Sequence, residues 1–279
     1  CNAGFALQTD SVVMFQNDPW TLLVLAALIT VGGLGFVVLA ALQSRFLRGQ
    51  RGRLSVQVRV VLAYSAIFTL AGWGLYTITE WRHTLAGLSL VDRLVNALFQ
   101  SVTLRTAGFN SVDFGTLALP TLLFMVLFMF VGASPGGTGG GIKTSTLAVI
   151  LAAIRATASG SDAVRLFDRE IPRVLVYRAL AVVGLSSAAT LGGLFLLLLF
   201  EAPHLETGAF ERLLFETVSA VGTVGLSLDV TPKLGPVGKF IIIGVMFLGR
   251  IGPLTLVLSL GARRGGQRLR HPQARIMVG

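Results

Sequence analysis

Apolar runs separated by short polar loops fill this chain, and they come in two lengths. Runs near residues 20–42, 56–79, 117–156, 172–200 and 234–260 reach the ~20 apolar residues that a ~30 Å hydrocarbon core demands, so each predicts a membrane-spanning segment. Shorter amphipathic patterns near 90–103 and 210–221 predict helices too short to span, which marks them as re-entrant half-helices. Spanning helix, half-helix, extended stretch, spanning helix is thus one unit. The pattern contains two such units and the end of a third at its start.

Sequence similarity between the units supports that order. LFQSVTLRTAGFNS (98–111) aligns with LFETVSAVGTVGLS (214–227), sharing Leu-Phe, then Ser or Thr, Val, and Ser or Thr. A one-residue gap brings Thr106-Ala107-Gly108-Phe109 under Thr223-Val224-Gly225-Leu226, and Asn2-Ala3-Gly4-Phe5 fits the same pattern. Thr-Val-Gly-Leu differs by one letter from the Thr-Val-Gly-Tyr of potassium-channel filters, whose backbone carbonyls replace an ion's water shell. Glycine's access to positive φ lets successive carbonyls face one axis, and threonine adds hard oxygen ligands. The C-terminal ends of the half-helices carry partial negative charge toward a waiting cation. A lone copy would read as a turn or a close helix crossing. Two full copies and a partial third point to an ion pathway on which Gly4, Gly108 and Gly225 are equivalent.

FVGASPGGTGGGIKTST interrupts the 117–156 run. A nucleotide-binding P-loop needs G-x-x-x-x-G-K-[ST] after a strand. Gly136 to Gly141 has that span, but Ile142 displaces Lys143 and no strand pattern precedes it. A membrane enzyme holding a nucleotide here is therefore the weaker reading. Three charges also stand out. Arg250 lies in the otherwise apolar MFLGRIGPLTL, where an unpaired arginine costs ~2.5–3.5 kcal/mol on insertion scales, so a buried partner is expected. Arg105 directly precedes its filter-like stretch and Glu216 lies in the next half-helix. They either pair and brace neighbouring stretches or hydrogen-bond separately behind each.

Composition agrees with a polytopic membrane protein: 53% of residues are hydrophobic, 13% are charged and the mean hydropathy is +0.78. A net charge of +10 in a soluble protein would suggest nucleic acid, but its placement argues otherwise. Arg45, Arg48, Arg51 and Arg53 form one cluster, Arg155, Arg165, Arg169 and Arg173 a second, and Arg263, Arg264, Arg268, Arg270 and Arg275 a third. Between them lie stretches with Asp10, Asp18, Glu80, Asp113, Glu201, Glu206 and Asp229. The positive-inside rule puts the basic clusters in the cytoplasm, where they set topology and touch anionic membrane lipids. No nucleic-acid partner is expected. A single cysteine, Cys1, excludes an internal disulfide framework. His83, His204 and His271 are scattered, no cluster has metal-ligand spacing, and no nucleophile–base set is visible, so no catalytic residues are assigned. The opening CNAGFALQTD is neither a signal peptide nor a helix start and reads as a segment already under way.

Taken in order, RTAGFNS, SPGGTGGGIKT, SAVGTVGLS and MFLGRIGPLTL resemble the TrkH/TrkG/KtrB superfamily of potassium transporters, the KtrB branch most. The resemblance implies an all-α polytopic membrane protein with repeated M1–P–M2 units (helix, pore half-helix, helix) in pseudo-fourfold arrangement around one pore. On that scheme residues 1–42 end repeat two, 43–55 are a basic cytoplasmic loop and 56–157 are repeat three. Residues 158–171 are a second cytoplasmic loop, 172–260 repeat four and 261–279 a basic tail. The first repeat and the start of the second are absent. The three tetrapeptides become filters holding K+ by backbone carbonyls only. The glycine-rich segment becomes an intramembrane gate, with Gly132, Ser134, Gly136, Gly137, Thr138, Gly139, Gly140, Gly141 and Lys143 as its members and Arg250 as its partner; a passive kink is the alternative. Arg105 and Glu216 become filter supports. The implied function is potassium uptake across the bacterial inner membrane, with Na+ as a coupling ion and no covalent cofactor. The implied assembly is a homodimer on a cytosolic ring of RCK-type nucleotide-binding regulatory subunits (KtrA-like). TrkH-like or sodium-permeable HKT-type cation transport is the alternative.

Overall fold

The computed structural model describes residues 4, 6–8, 10–46, 53–161, 163–205 and 208–252. Within them the chain is helical apart from one small hairpin. Two helices are long and apolar enough to cross a membrane: α3 (Val56–Glu80) and α7 (Arg173–Glu201), the latter continued by a 3-10 turn to His204. Each leads to a shorter helix, α4 (Leu90–Thr103) after α3 and α8 (Ala209–Gly222) after α7. At 14 residues apiece these cover only about 21 Å along their axes, short of a ~30 Å core.

Local chemistry sets the helix starts. Ser55 caps α3 by accepting from the Val58 amide, and Ser89 caps α4 by accepting from Asp92 N while its hydroxyl donates to the Asp92 carboxylate at 2.6 Å. Ahead of them, α1 (Pro19–Gly33) opens on the Asp18 cap and a proline, a position where a missing N–H costs nothing.

The predicted single span at 20–42 is a correction. The chain instead forms α1 and α2 (Phe36–Phe46), bent by 100° at residues 33–35. Gly35 takes a left-handed φ of +83°, and a Cβ there would lie 2.7 Å from the Pro135 carbonyl oxygen. The turned helix lets Phe36 N donate to Gly136 O at 3.4 Å. Hydropathy cannot report this bend, because its cause is contact with a segment a hundred residues away.

The 117–156 run splits into α5 (Leu119–Phe130) and α6 (Thr144–Ala158), with residues 131–143 non-helical between them. After α6 comes a hairpin that the hydropathy pattern does not predict, β1 (Arg165–Leu166) paired antiparallel with β2 (Arg169–Glu170). The chain ends its described part in α9 (Pro236–Ile251); residues 253–260 of the last predicted span lie outside the described residues.

Burial runs opposite to that of a water-soluble domain. Leu28, Phe36, Ile78, Leu123, Phe195 and Phe240 are exposed, whereas Asn96, Gln100, Ser101, Thr103, Glu216 and Ser219 of the half-helices are buried. Apolar side chains face outward and polar ones inward when the surroundings are lipid. The main core packs α3, α4, α5 and α8 around Tyr76, Leu104, Met125, Met129, Phe215 and Val218, so the two half-helices sit at the centre of the molecule.

Candidate ion pathway and intramembrane loop

Each half-helix runs into an extended stretch, and these stretches meet. Gly4, Gly108 and Gly225 have φ of +71°, +78° and +94°. A Cβ on Gly4 would lie 2.6 Å from Ala107 O and 3.2 Å from Gly108 Cα, and one on Gly108 would lie 2.5 Å from Val224 O and 3.2 Å from Gly225 Cα. The three glycines therefore sit side by side, 108 between 4 and 225, at backbone contact distance. Thr106 and Thr223 also take left-handed φ, +68° and +51°, an uncommon conformation for a β-branched residue and one that clusters at functional sites. The side chains of Ala107, Val224 and Leu226 are buried in the core behind, which leaves the main chain to line the open space. Phe109 is half-buried against α1 and its neighbours. Asn2, Ala3 and Phe5 lie outside the described residues.

Side chains that sequence similarity marks only as small and polar hold these stretches in place. Thr103 Oγ1 donates to Phe109 O at 2.7 Å and accepts from Phe109 N at 2.9 Å; its aligned counterpart Ser219 accepts from Gly225 N at 3.2 Å. Gln100 donates to Ser111 Oγ at 3.2 Å, and in the matching place Glu216 accepts from Ser227 Oγ at 2.7 Å and from the Thr231 hydroxyl. Arg105 turns the other way, donating to Ser65 Oγ at 2.8 Å, Ser134 Oγ at 3.3 Å and Gly132 O at 3.5 Å. Of the two arrangements left open for Arg105 and Glu216, the structure has separate hydrogen bonding and no pair between them.

The glycine-rich segment lies directly beneath. A Cβ on Gly139 would fall 2.6 Å from Thr106 Cγ2, while Gly140 N donates to Thr223 Oγ1 at 2.6 Å and to Gly222 O at 3.2 Å. Gly141, at φ +65°, lies against Gly222, and a Cβ on Gly136 would lie 3.4 Å from the Phe36 ring. Gly137 N closes a turn on Ser134 O at 3.2 Å, Gly132 is packed against the Leu104 carbonyl, and Thr144 N returns to Ala133 O at 2.9 Å. Two cations hold the crossing: Lys143 Nζ donates to Gly139 O and Arg250 Nη1 to Thr138 O. Arg250 thus has a partner in the loop as expected from the sequence, but the contact is exposed and not buried, because Arg250 faces an open cavity at the end of α9. The element before this segment is helix α5, not the strand a P-loop requires.

Two cavities adjoin the glycines. One of about 720 Å³ lies at their outer side, lined by all three and by Asp10, Asp113 and Asp229. The other, about 480 Å³, runs from Gly225 and Thr223 down to Thr138 and Arg250, on the side where none of the described residues covers Gly225.

Two further residues escape the sequence reading. Glu80, the last residue of α3, is fully buried and accepts from Ala118 N at 3.0 Å, Thr84 N at 3.2 Å, Thr84 Oγ1 at 2.9 Å and the Thr121 hydroxyl. Glu201, the last residue of α7, accepts from Gly235 N at 3.0 Å and Gly238 N at 2.9 Å. Each carboxylate occupies the amide-rich N-terminus of the next apolar helix, α5 or α9, where orphan donors and the helix dipole favour an anion. A glutamate closing a long apolar run, with a Pro-initiated helix to follow, is the signal that could have found them.

Comparison with known proteins places this geometry in a family. The sequence pattern of TrkH, described as a cation transport protein, matches residues 1–263. The chain is 38% identical over 281 residues to "Ktr system potassium uptake protein B" of Vibrio alginolyticus, covering all of this chain and 60% of that protein. It is 38% identical over 282 residues to the protein of the same name from Bacillus subtilis, and 35% identical over 282 residues to "Potassium/sodium uptake protein NtpJ" of Enterococcus hirae, covering 61% and 62% of those proteins. The chain thus spans about three-fifths of the length of these curated relatives. The crystal structure of the potassium transporter TrkH from Vibrio parahaemolyticus superposes with a TM-score of 0.72 at 17% identity, over 93% of this chain and 55% of that one, and so shares its fold. By the match over nearly its whole length and by relatives at this identity, the chain belongs to the TrkH family of cation transport proteins.

Proposed function

We propose that this chain forms most of a potassium uptake pathway through a bacterial inner membrane. K+ is held by backbone oxygens of the stretches around Asn2-Ala3-Gly4-Phe5, Thr106-Ala107-Gly108-Phe109 and Thr223-Val224-Gly225-Leu226. The observation that carries this reading is the contact of Gly4, Gly108 and Gly225, three left-handed glycines from separate parts of the chain abutting round one axis. Main chain without secondary structure is stable at membrane depth only where protein packs it or water reaches it, and a ring of carbonyls replacing a hydration shell is a use for such main chain. The units 56–157 and 172–260 act as successive helix–half-helix–helix repeats, and residues 1–42 as the end of the repeat before them, in a pseudo-fourfold ring. The quadrant beside Gly225 belongs to the first repeat that the family resemblance implies.

In this reading the segment with Gly132, Ser134, Gly136, Gly137, Thr138, Gly139, Gly140, Gly141 and Lys143 is a gate across the pore, latched by Arg250. Its position under Thr106 and Thr223 supports that role, as do Gly136, Gly137, Gly139, Gly140 and Gly141, which have no side chains to resist displacement. Arg105 anchors the start of the gate through Ser134 and Gly132, and Glu216 steadies the last filter. Na+ dependence is consistent with the "potassium/sodium" in the name of the Enterococcus relative, and the "system" in the names of the Ktr proteins fits a homodimer working with a cytosolic nucleotide-binding subunit.

The test is K+ uptake by a transport-deficient strain expressing the full-length protein. Deleting residues 136–140 should raise uptake and release it from its regulatory subunit. Arg250→Ala should move in the same direction, and Arg250→Lys less far. Unchanged flux and regulation in all three would remove the gate from this account while leaving the filter standing.

A further inference from the structure

A third cavity, of about 720 Å³, opens at the opposite end of the molecule from the filter mouth. Its walls are Tyr64 of α3, Leu151, Ile154 and Arg155 of α6, and Arg165 and Phe167 of the hairpin. The hairpin is pinned there: Arg59 Nη1 meets Asp168 Oδ2 at 2.9 Å, and the Arg59 guanidinium stacks 4.2 Å from the centre of the Phe167 ring. Asp168 is thereby engaged, and neither Arg155 nor Arg165 has a carboxylate partner among the described residues, although Glu170 stands across the hairpin from Arg165. The cavity thus presents two guanidiniums that no carboxylate among the described residues neutralises.

Above them the lining changes. Leu151 lies one turn before Arg155 on the same face of α6, and Leu151 and Ile154 are 40% and 57% exposed. The half-buried Tyr64 lines the same cavity, and tyrosine is enriched where membrane helices meet headgroups. Charged at one end and apolar toward the membrane interior, the cavity has the polarity order of a phospholipid, and its volume falls within the ~300–1,000 Å³ of ligand clefts. Guanidinium forks match phosphate oxygens, and basic pockets between membrane helices on the cytoplasmic side hold anionic headgroups.

We propose that this cavity is a binding site for one anionic phospholipid, its phosphate on Arg155 and Arg165 and one acyl chain along Leu151 and Ile154. This rests on the membrane placement of the chain but not on its ion selectivity, and its test does not read transport. Full-length protein in mixed micelles with dioleoyl phosphatidylglycerol and dioleoyl phosphatidylcholine is analysed by native mass spectrometry for retained lipid. At about 1 kcal/mol per arginine near the surface, phosphatidylglycerol should be preferred about thirtyfold, each of Arg155→Gln and Arg165→Gln should lower the preference about fivefold, and the double variant should abolish it. Arg155→Lys should keep most of it, separating lost charge from lost fold, and Arg178→Gln, a basic change on α7 outside the cavity, should keep all of it. An unchanged preference in the double variant would overturn the site. So would an equal loss in Arg178→Gln, since surface charge alone would then explain binding. Displacement of the lipid by millimolar glycerol phosphate or by a cytosolic protein subunit would reassign the cavity to those ligands.

Discussion

Single glycines carry much of the argument for the pathway, and they are not interchangeable with the others in the chain. At Gly108 an alanine meets both a left-handed backbone, costing ~1–2 kcal/mol, and the Val224 carbonyl at 2.5 Å. Gly108→Ala should therefore lower K+ uptake by more than tenfold, with the protein still folded in a thermal melt. Gly192→Ala, in α7 with nothing within 4 Å of the added carbon, should leave uptake unchanged and raise stability by up to ~1 kcal/mol. A charge on the opposite side obeys simpler rules. The hydrogen bond and charge of Arg59 hold the exposed Asp168 carboxyl below the usual aspartate range, with Arg53 and Arg169 adding to the pull. A lowered folded value means that the contribution is present above the ordinary aspartate pKa of ~3.9 and is lost as pH falls through the lowered one. Amide protection of residues 163–171, corrected for intrinsic exchange, should hold from pH 8 to 5 and fall below about pH 4; Asp168→Asn should lower it above pH 5 and converge with the unsubstituted protein at the acid end.

At the scale of elements, α3 and α7 solve the same problem in the same way. Each crosses the apolar layer and ends in a buried glutamate that satisfies backbone amides at the start of the next apolar helix. In lipid those amides have no water to turn to, so an unmet donor there costs ~1–3 kcal/mol. Glu201→Ala strands Gly235 N and Gly238 N and should lower the melting temperature of the full-length protein by several degrees, Glu201→Gln less. Gly238→Ala should do the same from the other side, because its methyl would lie 2.5 Å from the Glu201 carboxylate. If these carboxylates act only in packing, the apparent affinity for K+ will not change in any of the three. The bend between α1 and α2 belongs to this scale too. It brings Phe36 and Gly35 against Gly136 and Pro135, tying the first helices to the glycine-rich segment.

At the scale of the whole molecule, Asp10, Asp113 and Asp229 line one cavity outside the glycines, each a few residues past its own glycine, with Arg212 and Lys233 beside Asp229 in a neighbouring cleft, while Arg155 and Arg165 line the cavity at the hairpin. Three like charges round a narrow mouth raise the local concentration of cations. Asp113 also accepts from Gly115 N at 2.8 Å, a bond that asparagine can keep, so Asp113→Asn removes charge with little change of shape. A unit charge ~8 Å away in water is worth ~0.5 kcal/mol, so the apparent KM for K+ should rise about twofold at low ionic strength. That difference should shrink near 0.15 M salt, where the screening length is ~8 Å. A shift equal at both ionic strengths would point to altered shape at the mouth instead of to charge.

Hydrophobic period and length alone placed the two long helices and the two too short to cross: the half-helix predicted at 90–103 is α4, and the one at 210–221 is α8 to within a residue. These properties are local, written in i, i+3 and i, i+4 spacing, and survive any later packing. Internal similarity also picked out Gly4, Gly108 and Gly225, because a backbone that needs positive φ tolerates few other residues. What tertiary structure alone decided were contacts between distant parts of the chain. They include the 100° turn at Gly35 and the seating of Gly139 and Gly140 on two threonines. They also include the choice of Ser65 and Ser134 over Glu216 as partners of Arg105, and the glutamates that cap helices thirty-odd residues further on. No periodicity encodes such pairings, since each depends on where two surfaces meet once the apolar faces have found lipid and the polar ones each other.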